Sequence, residues 1–300
     1  MTSDGLRHDG ERGIALVVVL WMLALLAVLI LGFAGDTRTE TLIVRNQAAT
    51  AQARANADAG VTLALLGMLD PSPAERWSAT GEVHEFRFGD GKIRVAVQDE
   101  CGKIDLNDAP LDVLAGLFRT VGIPDAEASR FVTAIMQRRA AVLGQTRSGA
   151  PQYQEPFLAV DEVRGLPGMT PTQYERVQPY LTVYAGQAGV NPLTAPAAVL
   201  ESLPGATPDL IAAFVAARSS VGSAPIPLPP LIGVSDLVGS PVHVVTITSE
   251  GISGAGAVFI RQVVADVAST GPVHFRSWGQ AQGLLGGPGL KIPPPVGAAD

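Results

Sequence analysis

Cysteine is almost missing: Cys101 stands alone in 300 residues, so the chain can form neither an internal disulfide nor a cysteine metal cluster. A solitary thiol of this kind reads as a small buried apolar residue rather than a nucleophile. The four histidines are scattered, and His84, His243 and His274 sit in strand-like runs rather than four apart on a helix, which leaves zinc without support. Positive charge is scarce too. A net charge of −7 and a pI near 5.1 give no electrostatic case for nucleic acid. The sequence also lacks G-x-S-x-G, G-x-x-x-x-G-K-[ST], H-E-x-x-H and G-x-G-x-x-G after a strand, so nothing in it argues for an enzyme. Aromatics are few at 5%, whereas 33 glycines and 23 prolines mark a chain with many turns.

The most telling absence is of charge. Between Arg12 and Asp36 lies RGIALVVVLWMLALLAVLILGFAGD, with nothing ionisable inside. It reads as a removed secretory signal, a retained anchor, or a segment that is processed and still retained. An export signal has an apolar core of roughly 7–15 residues followed by a small-residue cleavage site. Here Ile14 to Phe33 is longer and no A-x-A follows. As a helix it spans about 30 Å, the thickness of a bilayer's hydrocarbon layer. Arginines flank both ends, so charge alone does not settle orientation.

Helix formers continue without proline from Asp36 to Leu69, and Asp70-Pro71-Ser72-Pro73 ends the run. The expectation is one helix from Ile14 to Leu69, with Ala59, Leu63, Leu66 and Leu69 forming a stripe that a sheet or helix must cover. Strands are expected at His84–Phe88 and Lys92–Gln98 around Gly89-Asp90-Gly91, then at Val242–Ser249, Val258–Val267 and Val273–Trp278. Between these two β portions the pattern is helical. The expected fold is α+β: a long N-terminal helix, transmembrane then amphipathic, packed on an antiparallel sheet with a large all-α domain of helix-hairpin-helix type inserted in it.

The helical stretch echoes itself. IDLNDAPLDVL (104–114) resembles VNPLTAPAAVL (190–200), each expected to open a helix with proline in its first turn. LPGMTPTQYERV (166–177) resembles LPGATPDLIAAF (203–214), each a Pro-Gly turn between short helices. Such hairpins can cradle a phosphate on a Gly-hydrophobic-Gly turn beside basic residues. Here Thr170 and Thr207 replace the second glycine, and residues 100–218 carry nine Lys/Arg against twelve Asp/Glu. A net of −3 favours a structural or protein-binding role over DNA. Asp99, Glu100, Asp105, Asn107 and Asp108 cluster where sheet passes into helices. They read either as hard oxygen ligands for Ca²⁺, with Asp99, Glu100 and Asp105 the candidates, or as a solvated loop in which Asn107 or Asp108 caps a helix.

These features resemble a type IV pilin-like precursor: a charged leader, Gly13, an apolar helix from Ile14, an amphipathic continuation and a later sheet. More specifically, RGIALVVVLWMLALLAVL, ARANADAGVTLAL, DECGKIDLNDAP, VDEVRGLPGMTP, PYLTVY and VNPLTAPAAVL resemble the minor pseudopilin K family of the type II secretion system. The resemblance implies a prepilin leader (1–13), cut between Gly13 and Ile14 by prepilin peptidase with N-methylation of Ile14. It further implies a transmembrane helix (14–35), a pilin-like domain in two parts (36–100 and 224–282), an inserted helical domain (101–223) and a disordered tail (283–300). Family members are thought to sit at the tip of the periplasmic pseudopilus with minor pseudopilins I and J above the major pseudopilin, anchored in inner-membrane lipid. The family is also associated with calcium. Most pilin-like subunits carry Glu at the fifth mature position, where it pairs with a neighbour's N-terminal amine. Here that position is Val18, which suits a subunit with no neighbour above. The rival reading is a membrane-anchored DNA-binding protein of the competence type, which VNPLTAPAAVLESLPGATP also resembles.

Overall fold

The computed structural model describes residues 9–72, 75–147, 155–220, 237, 243–267 and 272–281, without the side chains of 9–14, 31–39, 143–147 and 219–220. The first eight residues of the expected leader and the tail from Gly283 lie outside the described residues. Helix α1 (Asp9–Met68) runs unbroken for 60 residues, about 90 Å at 1.5 Å per residue. Asp70 takes over after it, its Oδ1 accepting the Ser72 N–H at 2.8 Å. Side chains of residues 15–30 are exposed on every side of the helix. Among the described residues no helix is long and apolar enough to cross a membrane. The span expected over 14–35 includes side chains outside that description.

Only the end of α1 packs. The covered face is Ala53, Ala57, Val61, Ala64 and Met68, not the stripe expected from the leucines: Leu66 is 64% and Leu69 47% exposed. The reason is distance of approach. A methyl group on Gly60 would sit 2.7 Å from Ile93 Cγ2, and one on Gly251 would stand 3.0 Å from Ala57 Cα. Small residues let helix and sheet backbones meet where leucine would hold them apart. Asn56 Nδ2 donates to the Ile252 carbonyl at 2.9 Å, and Arg261 Nε donates to Asp58 at 2.6 Å, which fixes the helix along the sheet.

The sheet has strands β1 (Thr80–Phe88), β2 (Gly91–Asp99), β5 (Val244–Ile252), β6 (Val258–Asp266) and β7 (His274–Gln280), antiparallel in the order β1-β2-β5-β6-β7. Each expected strand is present with shifted ends. β1 begins four residues earlier than expected, and Gly91 pairs with Phe88 instead of belonging to the turn. Ile93, Val95 and Val97 alternate onto the α1 side with Val245, Ile247, Val263 and Ala265, as period-two patterning requires.

Between β2 and β5 come β3 (Ile104–Asp105), α2 (Leu111–Thr120), α3 (Asp125–Arg147), α4 (Pro171–Val177), β4 (Leu181–Thr182), α5 (Ala197–Glu201) and α6 (Pro208–Ser220). They enclose a second core that includes Leu117, Phe118, Phe131, Ile135, Phe157, Leu200 and Ile211, with Phe118 and Phe131 edge to face at 5.6 Å. The two halves of the echo correspond to α2 and α5. Their prolines, Pro110 and Pro196, stand one place before the helix with ψ 146° and 151°, not in its first turn as expected. An extended ψ at each proline turns the chain into the helix without a side-chain cap. The glycine turns at Gly168 and Gly205 have φ of 85° and 81°, a conformation only glycine takes readily. A third turn of this kind, at Gly122 (φ 81°), joins α2 to α3.

Candidate functional site

β2 ends at Asp99, Glu100 follows it at the point where the chain leaves the sheet, and the antiparallel register places Asp99 opposite Val245. Asp99 is fully buried. Its Oδ1 accepts the Cys101 N–H at 3.0 Å, while Oδ2 accepts from Asn191 Nδ2 at 3.1 Å and Thr194 Oγ1 at 2.7 Å. Burial pushes the Asp99 carboxyl above its usual range, and these three donors pull the other way. Glu100, also buried, accepts from Lys103 Nζ, from the Thr246 hydroxyl at 2.6 Å, and from the Thr182 hydroxyl. It therefore ties β5 to β4. Cys101 is buried beside them. Burial, then the nearby Asp99, Glu100 and Asp105 charges, push its thiol up to about 12, so it is a packing residue rather than a nucleophile.

Asp105 sits one strand further on. It accepts the backbone N–H of Asn107 at 2.7 Å and of Gly186 at 3.0 Å, and burial raises its carboxyl as well. Arg139 of α3 donates to the carbonyls of Leu106 (2.9 Å) and Ala109 (2.7 Å), closing the loop that follows. Neither Asn107 nor Asp108, the two alternatives for a helix cap, caps α2, which starts after Pro110 with no side-chain cap bond. Asn107 has another role. Its side chain pairs with both backbone groups of Phe157, at 2.9 and 3.0 Å, as a strand partner would. Asp99, Glu100 and Asp105 thus face three separate donor sets. Among the described residues, no three His, Cys, Asp or Glu side chains converge as a group able to hold a metal.

Sequence reasoning found the carboxylates but not Thr182, Asn191, Thr194 and Thr246, which satisfy them from up to 146 positions away. No local spacing signals such partners. The other expected site lies far along α1. Gly13 and Ile14 are in its first turns, and Val18 is 58% exposed on the rod. The hairpin turn expected to exclude phosphate has Thr170 as a helix cap, its hydroxyl accepting the Gln173 N–H and its own N–H reaching the Gln173 side chain.

Residues 95–186, from the middle of β2 through the carboxylate crossing to just past β4, match the family described as type II secretion system (T2SS), protein K. That stretch, about a third of the chain, is similar to protein K. The fold of the chain is similar to a chain in the crystal structure of the GspK-GspI-GspJ complex from the enterotoxigenic Escherichia coli type 2 secretion system, with a TM-score of 0.56 and 13% identity, over 80% of this chain and 99% of that one. The comparison with curated proteins gave no match. Protein K is a component of secretion machinery, and none of these comparisons supports a DNA-binding protein. The mixed architecture of helix and antiparallel sheet is shared with that chain.

Proposed function

We propose that this chain is a minor pseudopilin of the type II secretion system, a non-enzymatic subunit at the tip of the periplasmic pseudopilus that serves protein secretion across the outer membrane. The observation that carries the reading is the protein K match over 95–186, because it covers the junction between sheet and helices rather than a generic pilin helix. The related crystal structure is of a GspK-GspI-GspJ complex, and the partners proposed here are minor pseudopilins I and J. The major pseudopilin is proposed as a further partner from the resemblance alone. On this reading residues 1–13 are a leader, prepilin peptidase cuts between Gly13 and Ile14, and Ile14 is methylated. Residues 14–35 then hold the subunit in the inner membrane, consistent with a helix whose side chains over 15–30 are apolar on every face. Residues 36–100 and 224–282 form the pilin-like part and 101–223 an inserted helical domain, which direct β2–β5 pairing favours.

An apolar Val18 fits the tip, because a carboxylate there would lack a neighbour's amine to pair with. The test is mass spectrometry of the mature N-terminus combined with co-purification. We expect a chain beginning at methylated Ile14 that brings down minor pseudopilins I and J. An intact Met1 in cells that contain the peptidase refutes the processing, and absence of both partners refutes the assembly role.

A further inference from the structure

We propose that Asp99 and Glu100 form a fixed joint that holds the helical region at one angle to the sheet, so that the two move as one body. The chain passes between them at β2 and returns at β5, and two covalent links alone would leave that angle free. The side chains at the crossing remove the freedom. Asp99, at the last position of β2, binds Asn191 and Thr194, which lie in the segment before α5. Glu100 takes one hydroxyl from Thr246 in the sheet and another from Thr182 in β4, with Lys103 as its cation. A single buried carboxylate therefore spans both parts. Gln98 Nε2 adds a bond to the Thr194 carbonyl at 3.1 Å, and the Asn191 N–H donates to the Cys101 carbonyl at 2.7 Å.

Packing closes what the hydrogen bonds leave. A methyl group on Gly102 would stand 2.9 Å from the Thr194 carbonyl and 3.0 Å from the Ala195 nitrogen, so two backbones cross here without room for a side chain. Buried hydroxyls and carboxylates without their partners are costly, which makes any other angle unfavourable. Because each part has its own hydrophobic core, the joint sets orientation and is not what folds either part. This inference does not depend on the proposed function.

The test measures distance between the two parts in the full chain, purified in detergent. Spin labels at Glu85→Cys on β1 and Ser129→Cys on α3 occupy positions on either side of the joint. Native Cys101 is buried and stays unlabelled. The parent should give one narrow distance distribution. The double variant Thr182→Val with Thr246→Val keeps side-chain shape but removes both hydroxyls from Glu100, and should at least double the width while leaving far-UV circular dichroism unchanged. Thr182→Ser with Thr246→Ser should restore the narrow distribution. A narrow distribution in the folded Val pair overturns the proposal. If the Val pair fails to fold, Thr182→Val alone is read in the same way.

Discussion

Replacing Gly251 by alanine should loosen the whole seam between α1 and the sheet. The new methyl carbon would meet the Ala53 carbonyl oxygen and the Ala57 nitrogen, with Ala57 Cα at 3.0 Å. All three are backbone atoms of α1, so no rotamer change relieves them. To bring even the most distant of the three out to ordinary contact the helix must lift, and the two nearer atoms demand more. A radial gap of about 0.5–1 Å already forfeits a quarter to a half of the attraction between facing atoms. That loss falls on Ala53, Ala57, Val61, Ala64 and Met68 together, since all lie on the lifted face. Overpacking typically costs about 1–3 kcal/mol, and a clash with rigid backbone belongs at about 3. At about 2–4 °C per kcal/mol for a protein of this size, Tm should fall by about 6–12 °C. The assay is thermal unfolding of the full chain in detergent, with Gly279→Ala as control because nothing lies within 4 Å of a methyl group there. The control should melt within a degree or two of the parent. If Gly251→Ala does so as well, close approach through small residues is not what seats the helix.

Cys101 should resist iodoacetamide in the folded chain at pH 8, where a thiol pushed up to about 12 is ionised in only about one molecule in ten thousand, and react at once after unfolding in urea; mass spectrometry before and after urea checks this. Val18→Glu should weaken membrane insertion or tip assembly without recruiting the subunit into the shaft. Cross-linking that finds this variant, or the parent, repeated along the filament would refute the tip position. Thermal melting with and without a chelator tests calcium at Asp99, Glu100 and Asp105. A native-state ion at a hundred times its Kd contributes about 2.7 kcal/mol, so chelation should then lower Tm, whereas an unchanged Tm leaves these carboxylates to the hydrogen bonds described above.

The sheet was legible because Ile93, Val95 and Val97 alternate with Lys92, Arg94 and Gln98, and a period of two is the mark of a strand with one face buried. The seam of α1 was not. Hydrophobic patterning gives weight to leucine, and here the packed face is made largely of alanine and glycine while Leu66 and Leu69 stay outside. Two of the three glycine turns were visible through their repeated Leu-Pro-Gly; the third, around Gly122, has no such tripeptide. At the crossing the acids stood out by charge, yet their threonine and asparagine partners carry no charge and come from distant segments. Asn107 misled for a related reason. A side chain that suits a helix cap also mimics a peptide group, and Phe157 takes it in that second role.

The pairing of β2 with β5 has a consequence for the order in which the molecule is made. Strands that share a register lie on either side of a long excursion, with Glu100 and Thr246 separated by 146 positions. During synthesis the β1–β2 hairpin emerges first and its inner edge must wait for a mate. Closing so long an unstructured loop carries an entropic penalty and slows the search. If the intervening helices gather around their own core first, the two ends of the excursion arrive side by side and the effective loop becomes short. The hairpin of β5 and β6, together with β7, can then add as a unit to a waiting edge. The pairing of β2 with β5 should therefore wait on the collapse of the helical region, and a lesion at Phe118 or Phe131, in the core of that region, should delay completion of the sheet.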